Sequence, residues 1–329
     1  MKLIDAFGRI HNYIRISLTD KCNLNCSYCN PRNRMNHFYS NRNILSYEEL
    51  YQLLRIFVCD LEVTKIRFTG GEPLIRKDIL SFFEMGSEFK KERPFEMGIT
   101  TNGTTLEDKI EKLYLYGLDR INISLDTLEP QRFIAVTGKD LFQATLRSIQ
   151  KASALFKNTK INTVIVKDIN DDELTNFIDR FINTNLNIRF IEYMPFSGNG
   201  WDAGKFISWE EMKGVIERKY KLNELQSDGD IAKDFLVGGS QLKVSFISSI
   251  SNHFCDSCNR LRVTASGEVK LCLFSSPLNI SLKEMLADNS AADGEIAASI
   301  SNSLKQKWYK HPNAEELVSL NNNMMSIGG

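Results

Sequence analysis

Neither sign of charge is in excess in this 329-residue chain: 41 Lys plus Arg stand against 41 Asp plus Glu. A binder of nucleic acid or acidic membrane that works by bulk basicity is thereby excluded, and any anion site must come from local placement of a few Arg and Lys. Long apolar runs are missing too, since the hydrophobic stretches are strand-sized and none reaches the roughly 18 residues of a transmembrane helix. At the amino end, Asp5 and Arg9 interrupt the stretch where an export signal needs an unbroken apolar segment. These absences lead to the expectation of a cytoplasmic protein with no nucleic-acid and no membrane partner. No repeat with a period of about 20–50 residues is visible, and low complexity is confined to Asn321–Asn323. Disorder is excluded by composition, because 42% of the residues are hydrophobic at zero net charge. The length suffices for one large domain, or for a domain with an appendage.

Seven cysteines are present, and they are unevenly placed. Cys22, Cys26 and Cys29 fall within eight residues, Cys255, Cys258 and Cys272 within eighteen, and Cys59 stands alone. A reducing compartment disfavours disulfides, so two triads point to metal. Zinc structural sites close with four ligands, and iron–sulfur clusters normally take four as well. Residue types alone leave both open. A three-thiol set leaves one position for an exogenous ligand. His253, beside the second triad, is the alternative fourth ligand, and Cys59, in an apolar helical stretch, reads as a small core residue.

From Tyr13 to about Glu192, short β-branched runs alternate with longer amphipathic ones, the pattern of βα units around a parallel sheet. Strands are expected at Tyr13–Leu18, Lys65–Thr69, Met97–Thr100, Arg120–Ser124, Ile161–Val166 and Ile188–Glu192. Helices are expected over Tyr47–Leu61, Ile79–Phe89, Leu106–Tyr116, Phe142–Phe156 and Leu174–Ile182. Ser46 and Glu49 have the spacing of a capping box, with Leu50, Leu53, Leu54 and Phe57 on one face. Six units are too few for a closed eightfold barrel. The expected fold is therefore α/β, a partial (β/α)6 barrel over residues 1–225. Beyond it, Gly-rich turns and short strands such as Leu242–Ile250 and Arg260–Thr264 indicate a smaller second domain at 226–329. Ligands gather at the carboxyl ends of parallel strands. The unusual polar segments fall there: Thr19–Cys29, Gly70-Gly71-Glu72-Pro73, Thr100-Thr101-Asn102-Gly103 and Ser124-Leu125-Asp126.

The segment Cys22-Asn23-Leu24-Asn25-Cys26-Ser27-Tyr28-Cys29, with Gly70–Pro73, resembles the signature of the radical S-adenosylmethionine (SAM) superfamily. The resemblance implies that Cys22, Cys26 and Cys29 hold a [4Fe–4S] cluster whose fourth iron is chelated by SAM. It also implies that the glycines let the methionine part of the cofactor approach closely. Cys255-Asp256-Ser257-Cys258-Asn259-Arg260-Leu261-Arg262, followed by Cys272, resembles the GTP 3′,8-cyclase family, the radical enzymes that open molybdenum cofactor biosynthesis. The likeness continues through Phe7-Gly8-Arg9, the run from Arg15 to Asp20, the run from Lys65 to Leu74, the run from Lys160 to Val164, the run from Arg189 to Glu192, and Gly328-Gly329.

That resemblance implies conversion of GTP to (8S)-3′,8-cyclo-7,8-dihydroguanosine 5′-triphosphate, with a second [4Fe–4S] cluster on Cys255, Cys258 and Cys272 that binds the guanine at its free iron. Matched by motif, SAM falls to Tyr28, Gly71, Ser124 and Met194. GTP falls to Arg15, Arg67, Thr100, Lys160, Arg260, Leu261 and Arg262, with Lys65 and Arg189 as weaker candidates and Arg15 and Arg262 as catalytic. A triphosphate carries about four negative charges and is best met by Arg forks, and strand alternation puts Arg260 and Arg262 on one face. The tail Asn321–Gly329 is expected to serve the active site. A reductant such as flavodoxin or ferredoxin is implied, the product passes to a cyclic pyranopterin monophosphate synthase, and a homodimer is left open. Asn30, the loop Arg32–Asn43 and the stretch Gly229–Phe235 depart from the family pattern. Two rival readings are a peptide-modifying radical SAM maturase with an auxiliary cluster and a non-catalytic, zinc-stabilised binding protein.

Overall fold

Alternation along the strands builds this molecule from two unlike faces. A computed structural model describes residues 1–29, 43–226, 231–278, 280–287, 291–320 and 324. Asn30, all but residue 43 of Arg32–Asn43, residues 229–230 of the stretch Gly229–Phe235, and all but Met324 of the tail Asn321–Gly329 lie outside the described residues.

The strands are β1 (Tyr13–Ser17), β2 (Lys65–Thr69), β3 (Glu96–Thr101), β4 (Arg120–Ser124), β5 (Thr159–Ile165) and β6 (Asn187–Glu192), followed by β7 (Leu222–Glu224), β8 (Lys233–Val237), β9 (Lys243–Ile247), β10 (Arg260–Val263) and β11 (Val269–Lys270). They form one sheet in the order β11-β10-β1-β2-β3-β4-β5-β6-β9-β8-β7. The expected strands β1 to β6 are parallel neighbours. Two further parallel strands flank them, β10 beside β1 and β9 beside β6. Strands from both sides of residue 226 thus share the sheet, and the β7–β8 hairpin crosses that point. Among the described residues β11 and β7 do not pair with each other, so the barrel stays open.

Helices cover the outer face. They include α1 (Tyr47–Arg55), α2 (Ile79–Glu92), α3 (Ile110–Leu115), α4 (Pro130–Thr137), α5 (Phe142–Leu155) and α6 (Leu174–Phe181). The capping box at α1 is present: Ser46 Oγ accepts from Glu49 N at 3.1 Å, and Ser46 N donates to Glu49 Oε2 at 2.6 Å. The expected long helix instead ends at Arg55 and continues as one wider π-helical turn, Ile56–Asp60. Cys59 is exposed there, which corrects its expected place in the core. Two residues past the buried Phe57, it falls on the opposite side of the helix from the apolar face. The helix expected at Leu106–Tyr116 is shorter, because turns with Leu106 N on Gly103 O and Lys109 N on Leu106 O occupy its start.

Outward-facing Ile14, Ile16, Ile66, Phe68, Ile99, Ile121, Ile123 and Phe190 are buried beneath these helices, each contributing about 1.5–3 kcal/mol. The inward-facing set on the same strands is Arg15, Arg67, Thr100, Asn122, Asn162 and Arg189, and it lines a cavity. A closed eight-stranded barrel fills those positions with bulky apolar side chains. Here polar and charged side chains take many of those positions around an open cavity, with Val164 and Ile191 among the apolar exceptions, so the lumen is a site and not a packed core. No helix among the described residues is long and apolar enough to cross a membrane.

Candidate active site

The first cysteine loop leaves β1 and is gripped by the ends of three neighbouring strands. Gly70, at φ 152°, and Gly71 lie against it so closely that a Cβ would stand 2.5 Å from Thr19 O and 2.3 Å from Lys21 O. Gly71 N donates to Thr19 O at 2.7 Å and Glu72 N to Lys21 O at 2.8 Å. The cysteine loop itself therefore requires both glycines, in addition to any close approach of a cofactor. Glu72 is fully buried and accepts from Leu74 N at 2.9 Å, Thr101 Oγ1 at 2.7 Å and Asn102 N at 2.6 Å. Burial pushes its carboxyl up to about 7 against those hydrogen bonds. Asn102 carries the grip onward, donating to Asn23 Oδ1 at 2.9 Å and reaching Cys22 Sγ at 3.8 Å. Just past β4, Asp126 accepts the Tyr28 hydroxyl at 2.6 Å.

Register arranges the cations. Arg262, Arg15 and Arg67 stand opposite one another across β10, β1 and β2, and Arg260, Tyr13 and Lys65 form the adjacent row. Arg67 donates to Tyr13 Oη at 2.6 Å and to Ile99 O at 3.1 Å. Gly98 makes room for it, because a Cβ there would stand 3.1 Å from the Arg67 guanidinium carbon. Burial, reinforced by Arg260 and opposed by Cys272, Tyr13 and Cys258, depresses Arg262 to about 10. Burial also lowers Arg15, reinforced by Arg262. Stacking cations in a buried row is costly unless an anion joins them.

The second triad faces the first. Cys255, Cys258 and Cys272 line the same cavity as Cys22, Cys26 and Cys29. Arg9 fastens their loop: it donates to Cys255 O at 2.6 Å, Tyr309 O at 2.9 Å and Trp308 O at 2.7 Å, and pairs with buried Asp5 at 2.6 Å. Burial tends to raise the Asp5 carboxyl, but hydrogen bonds from His11 and Arg9 hold it at about 2. Phe196, Phe274 and Leu317 form a small apolar cluster against which Met194, Cys272, Leu273, Leu320 and Met324 pack. Met324, described within the expected tail, also lines the cavity.

Of the residues expected from sequence, Arg15, Arg67, Thr100, Arg260, Arg262, Arg189, Tyr28, Gly71, Ser124 and Met194 are brought to this cavity with all six triad cysteines. Lys160 is buried beside Asn122 and Asn187, deeper along β5 than the lining residue Asn162, and does not itself line the cavity. Leu261 turns its side chain into the hydrophobic core, as alternation between Arg260 and Arg262 requires. Lys65 and His253 do not line it, and His253 borders a separate recess with Glu224 and Asp234. Tyr13, Asn122, Asn162 and His311 line the cavity without having been singled out, and Asp126 does so from the Ser124-Leu125-Asp126 segment. Stepping by two from Arg15 and Ser124 would have found Tyr13 and Asn122, whereas nothing local marks His311.

Thr100 Oγ1, Asn122 Oδ1, Asn162 Oδ1 and Arg260 Nε are buried with no hydrogen-bond partner among the described residues, as a cavity built for a polar ligand requires. Burial pushes the Cys22 thiol up to about 11 and Cys29 to about 12, and raises Cys26 and Cys255. Such thiolates need a neighbouring positive centre. No three His, Cys, Asp or Glu among the described residues are grouped as the ligands of a metal ion. A four-iron cluster asks for something else, one thiolate on each of three separate irons.

Residues 16–181 match the family described as Radical SAM superfamily, and residues 186–313 match Molybdenum Cofactor Synthesis C. The chain is 40% identical to GTP 3′,8-cyclase of Thermodesulfovibrio yellowstonii over 99% of both chains. It belongs to the GTP 3′,8-cyclase family of radical SAM enzymes. The mitochondrial GTP 3′,8-cyclase of Arabidopsis thaliana is also 40% identical, over 99% of this chain and 83% of the relative. Molybdenum cofactor biosynthesis protein 1 of Dictyostelium discoideum is 38% identical over 99% of this chain but only 52% of the relative. The chain thus spans about half the length of several curated relatives it matches. Among solved structures, Streptococcus suis SuiB bound to precursor peptide SuiA superposes with a TM-score of 0.61 at 15% identity, covering 96% of this chain and 70% of that one, and so shares the fold. Membership of the radical SAM superfamily brings S-adenosylmethionine and an iron–sulfur cluster with it.

Proposed function

We propose that this chain converts GTP to (8S)-3′,8-cyclo-7,8-dihydroguanosine 5′-triphosphate, the first step of molybdenum cofactor biosynthesis, in a cavity shared by two [4Fe–4S] clusters. The observation that carries this reading is convergence: two cysteine triads and the cations Arg15, Arg67, Arg260 and Arg262 line one lumen. When bound, the reduced first cluster and SAM supply a 5′-deoxyadenosyl radical, which the protein itself has no means of making.

The protein's part is to bind, orient and exclude water. Cys22, Cys26 and Cys29 hold the first cluster, and Tyr28, Gly71, Ser124 and Met194 form the wall for SAM. Cys255, Cys258 and Cys272 hold the second, leaving one iron for the guanine. Arg15, Arg67, Arg260 and Arg262 neutralise the triphosphate, with Lys160 adding its charge from β5 and Leu261 contributing through its backbone. Arg15 and Arg262 touch the reacting nucleotide and are the catalytic pair. Thr100 Oγ1 and the amide oxygens of Asn122 and Asn162 offer contacts to the sugar. The apolar cluster around Phe196 and Phe274, with Leu317 and Met324, shields this part of the cavity from water. GTP loses its 3′ hydrogen atom, gains the C3′–C8 bond, and takes up one electron and one proton. A protein reductant such as flavodoxin or ferredoxin supplies electrons in the cytoplasm, and the product passes to cyclic pyranopterin monophosphate synthase. We assign the radical chemistry to residues 1–225 and the second cluster to 226–329.

The test is turnover of anaerobically reduced protein with SAM, given GTP or a peptide mixture. 5′-Deoxyadenosine forms in proportion to GTP and not to peptide. No GTP-dependent 5′-deoxyadenosine contradicts the proposal, and peptide-dependent formation favours a maturase.

A further inference from the structure

Among the described residues, the Arg67 guanidinium has two hydrogen-bond partners, Tyr13 Oη at 2.6 Å and the Ile99 carbonyl. The Arg260 guanidinium carbon lies 5.0 Å from the centre of the same Tyr13 ring. Tyr13 opens β1, opposite Arg260 on one side and Lys65 on the other, two residues from Arg15. The charged groups facing it are therefore Lys65 and Arg67 from β2, Arg260 and Arg262 from β10, and Arg15 from its own strand. Asp126 and Glu192 are the carboxylates that line the cavity, and both are engaged elsewhere: Asp126 with Tyr28 and Val164 N, Glu192 with Ser251, Ile250 N and Trp209 N. A phenolic oxygen thus sits where the cation cluster has room for a negative charge.

We propose that Tyr13 is the resident counter-charge and positioning residue of the arginine cluster, giving way to a polyphosphate by taking up a proton. This rests on the reading of the cavity as a nucleoside triphosphate site. In the absence of a polyanion, a Tyr13 phenolate hydrogen-bonds Arg67 and holds it in the lumen, while its ring carries Arg260. Burial alone would raise the phenol, yet Arg67, Arg260 and Arg15 outweigh it and bring Tyr13 down to about 7. A triphosphate entering the cluster neutralises those cations and repels the phenolate, which returns to the neutral phenol. One proton from solvent balances the step, and no bond other than O–H forms.

The sign follows from linkage. Because binding takes up a proton, affinity falls as pH rises above about 7. With Tyr13 ionising at about 7 when free, and staying protonated when bound, affinity drops about fivefold between pH 7 and pH 8 through this group.

The test is titration calorimetry of the anaerobic holoprotein and its Tyr13→Phe variant with GTP and with inorganic tripolyphosphate, in buffers of different ionisation enthalpy. At pH 8.5 the terminal phosphate of GTP is already ionised, so an uptake of about one proton per GTP by the wild type reports the protein. Tyr13→Phe takes up that much less, and its affinity lacks the added fall with pH. Equal proton counts and parallel pH profiles overturn the role of Tyr13 while leaving the proposed function standing. Tripolyphosphate binding with proton uptake, but no tighter binding of GTP, supports Tyr13 and contradicts the guanosine reading. If neither anion binds, both fall. Should Tyr13→Phe fail to fold, the wild-type proton count at pH 8.5 decides: uptake supports the proposal, and none overturns it.

Discussion

Glu72 shows how one buried acid organises the site. Its two oxygens tie the glycine loop after β2 to the Thr101–Asn102 turn after β3, and through Asn102 to Asn23 and Cys22. Gln in its place keeps one acceptor oxygen but turns an amide N–H₂ toward a backbone donor. Glu72→Gln therefore leaves a buried donor unsatisfied, at a cost of about 1–3 kcal/mol, and slackens the first cysteine loop. Denaturant unfolding of the two proteins checks the stability, and iron content after anaerobic reconstitution checks the loop. Unchanged values for both would show that the three hydrogen bonds do not support the triad.

At the scale of elements, the amino-terminal turn acts on the far end of the chain. Arg9 bonds carbonyls 246 and 300 residues away, at Cys255 and Tyr309, and its partner Asp5 is fully buried at the side chain. Arg9→Ala removes these contacts and leaves the buried Asp5 carboxylate to His11 and two backbone amides, a loss of about 1.5–3 kcal/mol for a charge-assisted hydrogen bond. The second triad suffers most: iron falls from about eight to about four per chain, while SAM cleavage without GTP persists. Full iron content in Arg9→Ala would contradict this role.

The same elements show what the sequence could and could not disclose. β1 to β6 were readable because each packs a β-branched row against helices, and the capping box at Ser46 announced α1. The flanking strands were readable as strands but not as neighbours of β1 and β6, since pairings across more than fifty or two hundred residues leave no local trace. Cys59 misled because an apolar context was read without its angle round the helix. The cysteines and arginines declared themselves by spacing, whereas Tyr13, Asn122 and Asn162 are ordinary residues that matter only through strand register. The close approach of Gly70 and Gly71 to the chain's own cysteine loop is a second reason for them that only the fold reveals.

For the whole molecule, zero net charge and a strongly cationic lumen are compatible because the arginines are concentrated by register, not by composition. The open sheet brings residues near both ends of the chain to one cavity, so the two triads, more than two hundred residues apart in sequence, share it. The central claim is that each triad holds a four-iron cluster with one iron left for a small molecule. Iron and acid-labile sulfide counted on anaerobically prepared protein test it most directly. The account predicts about eight of each per chain, falling to about four in Cys272→Ser; two zinc ions and no sulfide would contradict it.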